Sequence, residues 1–277
     1  MPTLADLSEP ESFAHGRVTW RSGAGVCLLT LTNPPANGYS YEMMRDLDEA
    51  VLRARMDTAV EVIVLAGASE KFFCAGADIG MLDRLDPDFK YAFCLHANET
   101  LLRLEHTPKL VVAALGGHCV GGGLEVAMAA DLRWARADSG KCGLPEVALG
   151  VLPGTGGTQR LSRIVGKSRS IAMMASGELV GYARAQELGL VDEVIAADDD
   201  ASFLDAVLDR IGAFLRPGHS STSVGLIKRA VQTGWELPLE AGLALERELQ
   251  ARLFASDDAK EGLAAFVEKR PARFEGK

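Results

Sequence analysis

No stretch of the chain stays apolar for the roughly 20 residues a membrane-crossing helix requires, so no span and no membrane partner is expected. Positive charge is also in short supply. Twenty-nine Lys and Arg stand against 38 Asp and Glu, a formal charge of −9. Nucleic-acid binders need a basic face to neutralise phosphates, so no nucleic-acid partner is expected, although a local basic pocket for an anionic ligand is still allowed. Cysteine is sparse: Cys27, Cys74, Cys94, Cys119 and Cys142 are odd in number and show no metal-ligand spacing. A disulfide framework and a metal site are therefore not expected, and reduced, mostly buried thiols in a cytoplasmic protein are. The opening MPTLADLSEPESFAHG is acidic and lacks the apolar core of a secretory signal and the arginines of a transit peptide. What remains, 48% apolar and 24% charged residues over 277 positions, suits one large globular domain or one domain with an appendage.

Along the chain the patterns are those of an α/β protein. Val18–Trp20 and Val26–Thr32 read as strands joined by a turn at Ser22–Gly25, and Asn33-Pro34-Pro35 ends the second. Ser40 can cap a helix that carries Met44, Leu47, Val51 and Ala54 at helical spacing. Val62–Leu65 and Leu110–Ala114 are wholly apolar runs, the mark of strands buried on both faces. The small-residue loop Phe73–Asp78 follows the first of them, and a helix is expected over Asp88–Glu105 before Pro108. Strand, small-residue loop and helix thus alternate, which places function at the strand-to-helix loops. Beyond Arg160 the chain reads as mostly helical, with Pro217-Gly218 as the clearest break and Asp257 or Asp258 as cap of a last helix over Ala259–Glu268. Residues 1–200 are expected to form the core and 201–277 a helical C-terminal region.

The chemistry concentrates between Gly116 and Arg160. Gly121-Gly122-Gly123 opens a helix whose first N–H groups lack internal partners and sit at the positive end of the dipole. Close helix–strand packing explains three glycines equally well. The Ala77 N–H, at the end of a different buried strand, shifts the balance, because parallel neighbours would bring both loops to one end of the sheet. Two N–H groups aimed at one point make an oxyanion hole. Glu125 lies in the first turn of the glycine-opened helix among Leu124, Val126, Ala127 and Met128, and Glu146 follows Pro145 on a loop before Val147 and Leu149. A carboxylate in apolar company needs a partner or a task. One alone is more often half of an ion pair; two, each beside a glycine loop, point to divided acid and base roles. Gly150–Gly157, GVLPGTGG, lacks the lysine and hydroxyl of a phosphate loop and reads as a tight turn with backbone donors.

FCAGADI, GGHCVGGGLEVAMAADLR and GLPEVALGVLPGTGGTQRL together resemble the crotonase, or enoyl-CoA hydratase/isomerase, superfamily, and the likeness runs from Asn33 to the C-terminus. The resemblance implies a crotonase-like spiral of ββα units, a helical C-terminal trimerisation region and assembly as a trimer or a dimer of trimers. It implies an acyl-CoA substrate, with coenzyme A part of the substrate and no separate cofactor or metal. The thioester oxygen would be held by the N–H groups of Ala77 and Gly122. Glu125 would deprotonate the water added at Cβ, Glu146 would exchange the proton at Cα, and the N–H of Gly154 would help hold the water. Ala75, Ala77, Asp78, Ile79, Phe266 and Lys269 would contact coenzyme A, the last two at its adenine end. The activity implied is reversible hydration of a trans-2-enoyl-CoA to a 3-hydroxyacyl-CoA, within fatty acid metabolism such as β-oxidation. Leu144 departs from the pattern, standing where many hydratases carry a polar residue, and Ala137–Gly143 reads as slightly long. The alternatives are a double-bond isomerase, a cyclic dienoyl-CoA hydratase, and a non-catalytic CoA- or RNA-binding protein. Isomerases of this kind usually manage with one catalytic glutamate, and a non-catalytic member would lack a glutamate or show a basic surface.

Overall fold

The computed structural model describes residues 1–277. After a two-residue edge strand β1 (Glu11–Ser12), β2 (Val18–Gly23) and β3 (Val26–Leu31) form a hairpin. Its turn is only Ala24-Gly25, both at positive φ (48° and 83°), so Ser22 and Gly23 belong to the strand rather than to the turn. A two-residue turn of this hand matches strand twist, which lets pairing run to its edge. Ser40 caps α1 (Tyr41–Met56), its side chain accepting from the Met43 N–H.

Three successive ββα turns follow. In the first, β4 (Val62–Gly67) leads to β5 (Phe72–Cys74), then α2 (Ile79–Arg84) and α3 (Pro87–Glu105). In the second, β6 (Leu110–Leu115) leads to β7 (His118–Val120) and α4 (Gly122–Met128). In the third, β8 (Leu132–Arg136) leads to β9 (Lys141–Gly143), a 3-10 turn at Glu146–Leu149 and α5 (Gly157–Val165). In each turn the first strand enters a seven-stranded sheet and the second a four-stranded one. Then come α6 (Lys167–Ser176), β10 (Val180–Gly181), α7 (Tyr182–Glu187), β11 (Glu193–Ile195), α8 (Asp200–Ile211), α9 (Ser221–Gly234), α10 (Leu239–Phe254) and α11 (Asp257–Glu268).

The large sheet has the order β1-β2-β3-β4-β6-β8-β11, parallel from β3 onward, and the small one β10-β9-β7-β5. The fold is the expected α/β spiral of ββα units with C-terminal helices. The apolar runs of β4 and β6 are buried as read, because helices cover one face of the large sheet and the small sheet and its helices cover the other. β5 corrects the expectation of a plain loop over Phe73–Asp78, and β7 carries no strand signal in the sequence: three residues are too few for a periodic pattern, and their pairing partners are distant in sequence.

Among the C-terminal helices, α8 lays Phe203, Val207, Leu208 and Ile211 onto the large sheet against Val26, Leu28, Val62 and Val64. The cap of α11 is Ser256, not Asp257 or Asp258; its Oγ accepts from the Ala259 N–H at 3.1 Å. Asp258 is buried and takes the N–H groups of Glu275 and Gly276, pinning the tail. No helix is long and apolar enough to cross a membrane.

Candidate active site

The glycine turn before α4 brings the site together. Gly121 has φ 56° and ψ −133°, which a side chain would strain, and its N–H donates to the Gly143 carbonyl at the end of β9 (2.8 Å). The 137–143 segment therefore ends by holding this turn. Gly122 begins α4 with an N–H that donates to no acceptor of the chain. The Ala77 N–H is equally free, while its neighbours are used: Ala75 donates to Ala36 and Asp78 to Tyr39. The two loops touch, since a Cβ at Gly76 would lie 3.4 Å from the Gly122 nitrogen. β5 and β7 are parallel neighbours, so the ends of both strands deliver an unpaired donor to one place. The packing explanation for the glycines holds as well. A side chain at 122 would overlap the Tyr39 ring, and one at 123 the Cys74 carbonyl.

Glu125 is 1% exposed. Its Oε1 accepts from the N–H of Thr155 (2.8 Å) and of Gly157 (2.7 Å), the amides leading into α5. Burial raises its proton affinity, opposed by those two amides, the Thr155 hydroxyl and the Arg160 charge. Glu146 is the first residue of the 3-10 turn rather than part of an open loop, because the backbone after Pro145 winds once before Gly150. Its Oε1 lies 2.9 Å from where a Cβ of Gly121 would be, and its Oε2 is buried without a partner. Burial, with the nearby Glu125 charge adding to it, pushes its carboxyl up to about 7, against the pull of its own backbone N–H. The two acids thus flank one glycine turn, one kept by amides and one left without them.

Other expected residues fall on the rim. Gly154 is exposed, with a free N–H, and sits beside Cys94 of α3; Asn98, one turn further along α3, donates to the Gly154 carbonyl at 3.3 Å. Asp78 caps α2, accepting from Met81, and Ile79 is 51% exposed. Leu144 is buried, its Cδ1 3.0 Å from where a Cβ of Gly157 would be, which puts an apolar wall beside the Glu125 amides. Phe266 and Lys269 are not brought to this place within one chain: they lie on and just after α11, which packs on α10, and Phe266 is 85% exposed. Cys74 and Cys119 are fully buried near the glycine turns with thiols pushed up by burial, Cys74 to about 11, which suits packing and not nucleophilic chemistry. No cluster of three or more His, Cys, Asp or Glu could hold a metal ion. A separate cavity of about 570 Å³ lies under α9, between Met128, Ile164, Val231 and Trp235, and includes neither glutamate.

Sequence reasoning missed Tyr39 and Thr155. Their hydroxyls are 2.8 Å apart, both residues are buried, and Thr155 holds Glu125. The one available signal was a tyrosine and a threonine in otherwise small-residue loops.

Residues 21–277 match the family model described as enoyl-CoA hydratase/isomerase. A probable enoyl-CoA hydratase of Rhizobium meliloti (strain 1021) is 41% identical over 251 residues, covering 90% of this chain and 94% of its own. A 2,3-dehydroadipyl-CoA hydratase of Escherichia coli (strain K12) is 37% identical over 255 residues, covering 91% and 96%. The crystal structure of an enoyl-CoA hydratase from Geobacillus kaustophilus HTA426 superposes with a TM-score of 0.91 at 39% identity, covering 98% of this chain and 99% of that one. With the same fold end to end and a sequence match from Arg21 to Lys277, the chain belongs to the enoyl-CoA hydratase/isomerase family.

Proposed function

We propose that the chain adds water reversibly to a trans-2-enoyl-CoA, giving a 3-hydroxyacyl-CoA. The observation that carries this is the pair of carboxylates flanking the Gly121 turn, Glu125 buried and Glu146 partly so with a buried, unpartnered Oε2, beside two amides that have no acceptor in the chain. The thioester oxygen accepts from Ala77 and Gly122, donors set before negative charge develops on it. Glu125, fixed through Oε1, takes a proton from water with its other oxygen as the hydroxyl joins Cβ. Glu146, with a proton affinity near neutral, gives its proton to Cα. One proton is taken by Glu125 and one given by Glu146, so the substrate gains one water; the resting state returns when Glu125 releases its proton to solvent and Glu146 takes one up. Gly154 offers a further N–H to that water, and α3, through Cys94 and Asn98, walls the acyl end.

Coenzyme A belongs to the substrate, and these steps call on no metal or redox cofactor. Its pantetheine passes the Ala75–Ile79 loop. Phe266 and Lys269 reach the adenine end from a neighbouring copy in a trimer or a dimer of trimers. Leu239, Phe254, Leu263, Phe266 and Val267, all more than 60% exposed on α10 and α11, support that assembly as an apolar surface awaiting a second copy. A cytoplasmic place in fatty-acyl breakdown fits the reduced thiols. The decisive assay follows loss of the conjugated-thioester absorbance with a panel of straight, branched and cyclic enoyl-CoA esters. Hydration of at least one is expected, and no loss with any ester rejects the assignment.

A further inference from the structure

Tyr39 has no part in the steps above, yet it touches two of the groups they use and a neighbour of a third. Its backbone braces the Ala77 loop: its N–H donates to the Gly76 carbonyl (2.8 Å), its carbonyl accepts from Asp78 (3.0 Å), and residues 39 and 77 form a parallel bridge. Its ring fills the space beside Gly122 that a side chain there would need. Its ring centroid lies 5.7 Å from that of Phe93, and its hydroxyl meets the Thr155 Oγ1 at 2.8 Å. Thr155 is 1% exposed, gives its N–H to Glu125 and has its carbonyl held by Arg160 at 3.2 Å. Two hydroxyls buried together must satisfy each other or forfeit hydrogen bonds. When the Tyr39 phenol donates to Thr155, the Thr155 proton is free for the Glu125 carboxylate, whose proton affinity that hydroxyl lowers, so that phenol, hydroxyl and acid form a chain.

We propose that Tyr39 and Thr155 are positioning residues for hydration, the hydroxyl pair fixing the setting of Glu125 while the Tyr39 ring and backbone hold the Gly122 and Ala77 amides in register. The proposal rests on the hydratase assignment for its kinetic form. It says that the ionised form of Glu125 depends on a hydroxyl relay as well as on amides. The other titratable groups facing Glu125 are Arg160 of α5, itself paired with Glu105 of α3, then Cys94 of α3 and Glu146 of the 3-10 turn; Cys74 of β5 lies against the neighbouring Gly123. Of these only Arg160 favours the carboxylate, so loss of the relay is not made good by a second cation.

The test uses Tyr39→Phe, Thr155→Val and Thr155→Ser in the full chain. Tyr39→Phe keeps the ring beside Gly122 and removes only the hydroxyl. It is expected to lower kcat about tenfold, the worth of one buried hydrogen bond, with KM within about twofold because uniform binding is untouched. The acid limb of the kcat profile should move to higher pH. Thr155→Val should do the same, Thr155→Ser should restore most of the rate, and the Tyr39→Phe/Thr155→Val pair should be no worse than Thr155→Val alone. A carbon-13 titration of labelled glutamate, with Glu125 assigned through Glu125→Gln, should show its midpoint raised in Tyr39→Phe. Unchanged kcat and midpoint in Tyr39→Phe, or a Thr155→Ser variant as slow as Thr155→Val, overturns the proposal. Should the wild-type chain hydrate no enoyl-CoA, the hydratase assignment fails, and the titration midpoint still decides whether the relay acts on Glu125.

Discussion

Glu146→Gln separates the electrostatics of the site from any choice of substrate. The carboxyl lies near 7 in the folded chain against an ordinary value of 4.5, chiefly because burial disfavours its charge. Each pH unit between these values is worth about 1.4 kcal/mol, so the full gap corresponds to about 3.4 kcal/mol at most. Glu146 is only partly buried, and solvent screening brings this to about 1–2 kcal/mol. The sign follows from linkage: a group whose affinity for protons is higher folded than unfolded contributes stability fully present below pH 4.5 and lost as the pH rises through 7. Glutamine stays neutral throughout. Urea unfolding of both proteins at pH 5 and pH 8.5, at one protein concentration so that any assembly equilibrium is held constant, should show the wild type losing about 1–2 kcal/mol relative to Glu146→Gln across that interval. A difference that stays flat, or grows in the opposite direction, would mean that Glu146 is ionised and solvated, and the acid role would go with it.

Glu125→Gln and Glu146→Gln should each lower hydration by roughly 10²–10⁴, the usual worth of a general acid or base; near-wild-type turnover in either removes the two-carboxylate scheme. Glu125→Gln keeps an acceptor for the Thr155 and Gly157 amides, whereas Glu125→Ala strands them. Thermal melts should therefore place Glu125→Ala about 1–3 kcal/mol below Glu125→Gln, and equal stabilities would mean that water takes over those amides freely. Gly122→Ala drives a methyl into the Tyr39 ring. It should cost about 1–3 kcal/mol of stability, recovered in part by adding Tyr39→Ala, with no such recovery if the clash is relieved elsewhere. Removal of residues 261–277 deletes Leu263, Phe266 and Lys269 and should weaken both assembly in sedimentation and coenzyme A binding in calorimetry; an unchanged oligomer with unchanged binding argues against the C-terminal role.

Much of this molecule is legible one residue at a time. Val62–Leu65 and Leu110–Ala114 announce buried parallel strands because a run with no polar member can only lie between two covered faces. Ser40 announces a helix start because its side chain bonds locally, three residues on. Glu125 and Glu146 stand out because acids among apolar neighbours demand a reason, and Gly122 because its two explanations, packing and anion binding, both require a missing side chain. What stayed hidden depends on pairing across long separations. β5, β7 and β9 have three residues each, and only their alignment with one another makes them a sheet. Asp258 reads as a helix cap until the tail from Glu275 folds back onto it.

The chain by itself determined its class, its buried strands and the identity of the two acids, since these follow from local composition and from hydrogen bonds made within a few residues. Only the tertiary structure decided that one acid would be tied by amides and the other left near neutral, and that a tyrosine 116 residues away in sequence would meet the Thr155 hydroxyl beside the first of them. Proton affinity and close contact depend on what surrounds a group in space, and those surroundings come from strands and helices far apart along the chain.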